Sequence, residues 1–228
     1  MIQAEKREER ATATLNLPNY LLLLASISFV LFLLVTTAVV TGLFDRVDAR
    51  LLDYFTNFQE QAPVWLTTIS TWFQNSSSAG LGIISTMLIL YWLVNGRIRR
   101  FFLLLASVGG AELLWFALMF IVGRERPEEV IIWGGLNLPS YPSGHALFNV
   151  AFYGALVYIF YPQIRSKKWR NVLLAIVGTL LLLTGLNRLF FSVHYFSDVI
   201  GGYLVGAAWV SFALWLVEWG LTKRKQSG

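Results

Sequence analysis

Six long apolar stretches dominate this chain and restrict it to one class of fold. They cover about 20–43, 79–94, 100–122, 145–161, 171–191 and 199–221. A helix needs roughly 20 residues to cross about 30 Å of hydrocarbon, and only the second and fourth stretches are clearly shorter. Because unpaired backbone groups are costly in lipid, we expect helices rather than open strands. The sequence therefore predicts an all-α polytopic membrane protein with six transmembrane helices.

Composition agrees with a membrane protein and argues against other classes. Hydrophobic residues make up 56% of the chain and charged residues only 14%, a balance that is rare in a soluble domain. The net charge of +5 is concentrated in short loops, which indicates membrane orientation rather than nucleic-acid binding. The chain has no cysteine, so disulfides and cysteine-based metal sites are excluded.

The distribution of positive charge predicts the orientation. With six crossings, the two termini and two of the loops share one side of the membrane, and this side carries 13 of the 18 Lys and Arg residues. By the positive-inside rule that side is cytoplasmic. We therefore expect a multi-pass protein of the inner (cytoplasmic) membrane with both termini in the cytoplasm. The outer side then holds the other five basic residues, which are Arg46, Arg50, Arg124, Arg126 and Arg188.

The whole chain, 1–228, is expected to form a single membrane domain. Its cytoplasmic tails would be 1–19 and 222–228, and an extracytoplasmic segment at 44–78 would join the first two spans. Residues 45–55 have helical spacing of apolar side chains, and Trp65 and Trp72 suit a membrane surface. Residues 75–78 are typical of a loop. The sequence thus predicts an interfacial helical segment on the outer side.

Two arginines end the third span, in Gly-Arg-Glu-Arg-Pro at 123–127. Pro127 stops the helix and leaves Arg124 and Arg126 at the boundary of the membrane. An arginine at the end of a span usually anchors the helix by contacting lipid head groups. It can also bind a substrate phosphate. These five residues alone leave both interpretations open.

The fourth span begins with Tyr-Pro-Ser-Gly-His at 141–145. Ser143 can cap free amides of the first turn, and Gly144 lets an anion approach the backbone closely. The N-terminus of a helix carries partial positive charge, which favours such an anion. As structure alone this is a capped helix start. His145 in the first turn favours a functional site, because imidazole transfers protons near neutral pH.

The most specific pattern lies at the start of the last span, where Arg188 precedes His194 by six residues and Asp198 follows it by four. If the chain is helical from about position 194, residues i and i+4 share a face and the carboxylate can meet the imidazole. A carboxylate on one ring nitrogen fixes the tautomer and leaves the other nitrogen free to attack. A buried structural His–Asp pair is the alternative, although ionisable groups at membrane depth are more often functional.

Together these three segments resemble the type 2 phosphatidic acid phosphatase (PAP2) superfamily, in its bacterial membrane lipid phosphate phosphatase branch. The family pattern is a lysine seven positions before Arg-Pro, then Pro-Ser-Gly-His, then Ser-Arg, five residues, His, three residues and Asp. Three blocks of this chain match it in order and spacing, namely Arg126-Pro127, Pro142 to His145, and Arg188 with His194 and Asp198. The resemblance covers roughly residue 79 to the C-terminus.

Two positions depart from the family pattern. Met119 stands where the family has its lysine, and Asn187 stands where it has the serine before the arginine. Asparagine can still form hydrogen bonds, so the second change is mild. The first removes a phosphate-binding cation, and one charge-assisted contact in a dry site is worth about 1.5–3 kcal/mol. Arg124 is a candidate to compensate, so Arg124 and Asn187 are expected as auxiliary residues.

The resemblance implies a phosphatase that needs neither a metal nor a cofactor. His194 would attack phosphorus to form a phosphohistidine, with Asp198 orienting its ring, and His145 would serve as the acid and then the base. The resemblance assigns the phosphate oxygens to four further residues, which are Arg126, Ser143, Gly144 and Arg188. Holding these oxygens would supply most of the transition-state stabilisation.

The substrate implied by the resemblance is a membrane lipid whose phosphate or diphosphate sits at the outer head-group layer. Undecaprenyl diphosphate and phosphatidylglycerol phosphate are the leading candidates. Two alternatives stay open: a phosphotransferase that passes the phosphate to another acceptor, and a lipid-phosphate binding or transport protein that lost turnover with the lysine. The bilayer itself is the only partner that the sequence indicates, and it does not reveal the oligomeric state.

Overall fold

Eight helices account for nearly all of the described structure. The computed structural model describes residues 2–75, 79–127, 131–132 and 136–226. Residues 131–132 and 136–137 form a two-residue antiparallel pair in the loop between the fifth and sixth helices. The helices are α1 Ile2–Val40, α2 Asp45–Glu60, α3 Val64–Asn75, α4 Leu81–Val94, α5 Ile98–Val122, α6 Gly144–Phe160, α7 Lys167–Phe190 and α8 Phe196–Gln226. The prediction of a helical fold is confirmed.

Within the described residues, five segments are long and apolar enough to cross a membrane, and the protein is a multi-pass membrane protein. They are Asn19–Val40, Ile98–Val122, Gly144–Gln163, Lys167–Phe190 and Phe196–Leu221. The remaining predicted span, 79–94, forms α4, which has 14 residues and is therefore about 21 Å long. That length is less than the thickness of the hydrocarbon layer. A crossing by α4 stays a prediction.

The two predicted tails are largely helical. The first helix begins at Ile2, so most of the predicted tail 1–19 continues the first span as helix. The last helix continues to Gln226, past the start of the predicted tail 222–228, and residues 227–228 lie outside the described residues. The expected loop at 75–78 begins at the last residue of α3, and 76–78 also lie outside them.

Helix α8 lies at the centre of the bundle and packs on α1, α5 and α6. Two glycines allow its close approach to α6. A Cβ atom added at Gly202 would lie 2.6 Å from the carbonyl oxygen of Ser143, and one at Gly206 would lie 2.9 Å from that of Leu147. The amide of Ser143 also donates a 3.0 Å hydrogen bond to the carbonyl oxygen of Asp198. The starts of α6 and α8 are thereby held side by side.

The segment predicted to be interfacial forms helices α2 and α3, which pack against the same end of the bundle. Thr56 of α2 forms a 2.8 Å hydroxyl–hydroxyl hydrogen bond with Ser192. The side-chain amide of Asn187 donates a 2.9 Å hydrogen bond to the carbonyl oxygen of Ser70 in α3. Phe58 lies with its ring edge against Phe190. Both helices are therefore attached to the junction between α7 and α8.

Candidate active site

The three chain segments identified from the sequence meet at one end of the bundle. The loop after α5 supplies two arginines, the start of α6 supplies a histidine, and the α7–α8 junction supplies the second histidine and its aspartate. Two distances between side chains establish the meeting point. Arg126 Nη1 lies 3.5 Å from His194 Nε2, and Arg188 Nη1 lies 3.2 Å from His145 Nε2. Both imidazoles therefore face a guanidinium group.

His194 has a carboxylate beside its other ring nitrogen. Its Nδ1 lies 3.4 Å from Asp198 Oδ2, and the backbone amide of Tyr195 donates a 2.9 Å hydrogen bond to the same carboxylate oxygen. The expected helical start at 194 is wrong, because α8 begins at Phe196. His194 lies in the preceding turn, where Ser192 has a positive φ of 53°. The turn still brings the imidazole to the carboxylate.

The surroundings of His194 favour its neutral form. Its side chain is 4% exposed, and that of Asp198 is fully buried. Burial is the largest effect and lowers the pKa of His194 from its ordinary 6.5, while Asp198 acts in the opposite direction. A neutral imidazole with a proton on Nδ1, facing the carboxylate, carries a lone pair on Nε2. That lone pair is directed to the side where Arg126 lies.

Arg126 is held by backbone carbonyl oxygens rather than by a carboxylate. It donates hydrogen bonds to Leu138 at 2.7 Å, to Val193 at 3.0 Å and to Pro139 at 3.3 Å. Burial lowers its pKa, but a guanidinium group stays charged in proteins. These bonds fix its position without neutralising it. Its positive charge is available to an anion beside His194.

Three buried side-chain atoms at this end of the bundle form no hydrogen bond with the described residues. One is Nδ1 of His194, which has the Asp198 carboxylate beside it at 3.4 Å. The other two are the hydroxyl of Ser143 and the Nε of Arg188. The expected cap by Ser143 is not formed, although the residue occupies the N-cap position of α6. An unpaired buried polar group costs about 1–3 kcal/mol, so the Ser143 and Arg188 groups favour a ligand that accepts hydrogen bonds. Gly144 packs against the ring of Trp115, and a Cβ atom added at this glycine would lie 2.7 Å from that ring.

Arg124 occupies a different place from the one expected for a phosphate ligand. It donates 2.6 Å and 2.8 Å hydrogen bonds, one to Asp198 Oδ1 and the other to Asp48 Oδ2. A further 2.8 Å bond joins it to Ser197, and its guanidinium lies over the ring of Tyr195. Two carboxylates therefore share its charge. The residue lies on the aspartate side of His194 rather than beside Nε2.

Asp48 is the buried acidic residue that the sequence reasoning missed. It lies on α2 and is 1% exposed. A signal was present in the predicted helix, because Asp48 falls at helical spacing with Leu51, Leu52 and Phe55 on the face that packs inward. A carboxylate on an apolar face needs a partner.

The two departures from the family pattern are both buried. Met119 is fully buried in the last turns of α5, and its carbonyl accepts the amide of Gly123. Asn187 accepts a hydrogen bond from Arg188 and donates one to Ser70 in α3. The asparagine therefore links Arg188 to α3. Its role as an auxiliary residue of the site stays a prediction.

Comparisons with known proteins agree on one family. Among curated proteins, phosphatidylglycerophosphatase B of Bacillus subtilis is 28% identical over 105 residues, which cover 46% of this chain and 51% of the relative. The match thus spans about half the length of that curated relative.

Two solved structures share the fold. The crystal structure of the first transmembrane PAP2 type phosphatidylglycerolphosphate phosphatase from Bacillus subtilis has a TM-score of 0.66 at 21% identity, covering 88% of this chain and 96% of that one. The crystal structure of Aquifex aeolicus LpxE has a TM-score of 0.53 at 21% identity, covering 72% and 93%. The sequence model of the PAP2 superfamily matches residues 100–221, more than half of the chain. The chain therefore belongs to the PAP2 superfamily.

Proposed function

We propose that this protein is a metal-independent phosphatase that hydrolyses a lipid phosphate or diphosphate through a phosphohistidine intermediate. One observation carries the proposal: His194 has Asp198 on one ring nitrogen and the charged Arg126 at 3.5 Å from the other. A nucleophile so oriented attacks an anion that the arginine attracts. The pair of His145 and Arg188 lies at the same site and supplies a second imidazole.

The proposed chemistry has two steps. In the first, Nε2 of His194 attacks phosphorus, the bond from phosphorus to the lipid oxygen breaks, and His145 gives its proton to the departing oxygen. In the second, His145 takes a proton from water, and the water oxygen attacks the phosphohistidine. Inorganic phosphate leaves and His194 is regenerated. In such two-step reactions one group commonly acts first as the general acid and then as the general base.

The proposed phosphate site is built from groups that carry positive charge or free donors. Arg126 and Arg188 contribute guanidinium groups, and Ser143 and the N-terminus of α6 contribute hydrogen-bond donors. Phosphoryl transfer depends mainly on positioning and on stabilising the charge of the equatorial oxygens. The unpaired Ser143 hydroxyl and Arg188 Nε fit this role, because a phosphate would supply the acceptors that they lack.

We place the site on the extracytoplasmic side of the cytoplasmic membrane. The positive-inside rule supports this, because the basic loops between spans lie at the end of the bundle opposite to His145 and His194. This placement requires α4 to cross despite its 14 residues, which it can do by local thinning of the bilayer. Helices α2 and α3 would then lie at the outer interface, where the exposed Trp65 and Trp72 suit the head-group layer.

The proposed substrate enters from the side, with its apolar chain in lipid. An apolar groove of about 350 Å³ runs between α1, α5 and α8, and Phe32, Leu118 and Val205 are among its lining residues. Phe32 stacks on Tyr141, which directly precedes the Pro142–His145 turn. Phosphatidylglycerol phosphate and undecaprenyl diphosphate both combine a phosphate group with apolar chains that such a groove would accept. The names of the Bacillus subtilis relatives favour the first.

The test is release of inorganic phosphate from a panel of lipids by the purified protein in detergent, without any added acceptor. The panel contains phosphatidylglycerol phosphate, undecaprenyl diphosphate and phosphatidic acid. Release from at least one lipid, together with an acid-labile 32P label on the protein, supports a hydrolase with a phosphohistidine. A label that turns over only when an acceptor is added would indicate a phosphotransferase. No release and no label would contradict the proposal.

The pH dependence follows from the burial of His194. Because burial lowers its pKa from 6.5, the neutral nucleophile persists below the pH at which an exposed histidine would be protonated. We therefore expect the acid limb of kcat/KM to be centred below pH 6.5, after correction for ionisation of the substrate phosphate. Initial rates between pH 4.5 and 8 measure it. A limb centred above that value would contradict the neutral, buried nucleophile.

Restoring the family lysine is expected to tighten substrate binding. Met119→Lys adds a cation where the family binds phosphate, and a charge-assisted contact of about 1.5–3 kcal/mol corresponds to a KM lower by about tenfold or more. Met119→Gln is the matched control, since it has similar size and no charge. KM values from phosphate release compare the variants. If both variants have the wild-type KM, position 119 of this chain does not reach the phosphate.

A further inference from the structure

Asp48 is a buried acidic residue that lies outside the family motifs and forms an ion pair with Arg124, the arginine that binds Asp198. Asp48 belongs to α2, in the segment that joins the first two spans. Its side chain is 1% exposed, whereas Asp45 and Asp53 on the same helix are exposed. A buried carboxylate is retained only where partners compensate for the loss of water. The partners of Asp48 therefore indicate what it does.

All of the contacts of Asp48 lead toward Asp198. Its Oδ2 accepts a 2.8 Å hydrogen bond from Arg124 and a 2.5 Å bond from the hydroxyl of Ser197. Its Oδ1 accepts the backbone amide of Ser197 at 3.0 Å, next to Asp198 in sequence. Arg124 in turn donates to Asp198 Oδ1 at 2.6 Å. A continuous series of contacts runs from Asp48 through Arg124 to Asp198 and His194.

Resting on the phosphatase function proposed above, we infer that Asp48 is a positioning residue, which holds Arg124 and the first turn of α8 so that Asp198 faces His194. The helix between the first two spans thus completes the catalytic site. The side-chain hydrogen bonds that the structure describes for Asp48 are to Arg124 and Ser197, and not to His194. It acts through the residues that orient the nucleophile.

Charge balance gives Asp48 a second effect on His194. One guanidinium between two carboxylates leaves one net negative charge, and this charge faces the imidazole. When His194 bonds to phosphorus its ring becomes cationic, and the carboxylate stabilises that cation. Without Asp48, Arg124 would be neutralised by Asp198 alone, so less negative charge would remain for the ring. The rate of phosphoenzyme formation should therefore fall, while phosphate binding by Arg126 and Arg188 persists.

Asp48→Asn tests this inference, with Asp53→Asn as the matched control. Both changes remove one negative charge from α2, but Asp53 is exposed. Groups that orient a reactive residue typically contribute about 10- to 100-fold, so we expect Asp48→Asn to lower kcat by that factor and leave KM within about twofold. Asp53→Asn should have the wild-type kcat. The rate of 32P labelling should fall in parallel with kcat.

The pH profile separates positioning from a purely structural role. Four other groups surround His194 and are unchanged in the variant: Arg126 in the loop, Arg188 on α7, His145 on α6 and Asp198 on α8. Because Asp48→Asn leaves the charge of Arg124 less compensated, the acid limb of kcat/KM should move to lower pH. A residue that only stabilises the fold would lower the melting temperature without moving this limb. Asp48→Glu should recover part of the lost rate.

The outcomes distinguish this inference from the function on which it rests. An active wild-type protein with an equally active Asp48→Asn variant overturns the inference and leaves the phosphatase standing. A wild-type protein that releases no phosphate overturns both. If Asp48→Asn does not fold, Ser197→Ala replaces it, because that change removes one hydrogen bond from Asp48 and one from Arg124 and keeps their ion pair. Loss of these two bonds predicts a kcat lower by about fivefold or more, and an unchanged kcat in the folded variant overturns the inference.

Discussion

His194→Ala is expected to abolish phosphate release, with kcat lower by at least about 10⁴-fold, because the variant has no nucleophile to form the covalent intermediate. None of the neighbouring groups replaces it, since Arg126 carries no lone pair and His145 is paired with Arg188. Phosphate release from the preferred lipid measures the loss. The acid-labile 32P label should disappear from the same variant.

The protein must remain folded for this result to be read. His194 is 4% exposed, so alanine leaves a small cavity at the α7–α8 junction. A monodisperse elution profile and a melting temperature close to that of Asp53→Asn establish an intact bundle. Wild-type turnover by a folded His194→Ala variant would be incompatible with a phosphohistidine at this position. Labelling of that variant would point to His145 as the nucleophile instead.

His145→Ala is the second large effect, and it should depend on the leaving group. General acid–base catalysis contributes about 10²–10⁴-fold, so hydrolysis of a lipid phosphate should fall by that factor. An aryl phosphate such as p-nitrophenyl phosphate has a leaving group that needs no proton. With it, the first step should proceed near the wild-type rate and the second should be slow, because water lacks its base. The 32P-labelled protein should therefore accumulate.

Accumulation of the 32P label distinguishes a role of His145 in proton transfer from a role in positioning Arg188. Rapid-quench measurements with the aryl phosphate give a burst of product equal to the amount of protein, followed by slow turnover. His194→Ala in the same assay should give no burst. If His145→Ala slows both steps equally for both kinds of substrate, His145 positions Arg188 rather than transferring protons.

Much of the fold could be predicted from the sequence because the helices lie in a lipid bilayer. Apolar length alone locates the helices, since a backbone in hydrocarbon has no alternative to internal hydrogen bonding. Length also explains why a crossing by α4 does not follow from the sequence. Its 14 residues are apolar but shorter than a full crossing requires. The packing of α2 and α3 on the α7–α8 junction was not accessible. It depends on contacts such as Thr56 with Ser192, which are separated by 136 residues.

The site was predictable where chemistry depends on local spacing. A spacing of four positions from His194 to Asp198 is enough to bring the pair together, even though the turn that does so is not the expected helix. Spacing was misleading for Arg124, which its place beside Arg126 made a candidate to compensate for the missing lysine. Only the fold shows that a buried carboxylate of α2 takes one of them. A charge on the apolar face of a predicted helix is the signal that would have identified Asp48.

The contact between α6 and α8 has a consequence for how this chemistry is maintained. At 202 and 206 helix α8 has no side chain, and a methyl group added there would lie within 3 Å of the carbonyl oxygen of Ser143 or of Leu147. The position of His145 relative to Asp198 is thus set by how closely α6 and α8 pack. Gly202 and Gly206 contact no reactive atom, yet they determine the alignment of the residues that do.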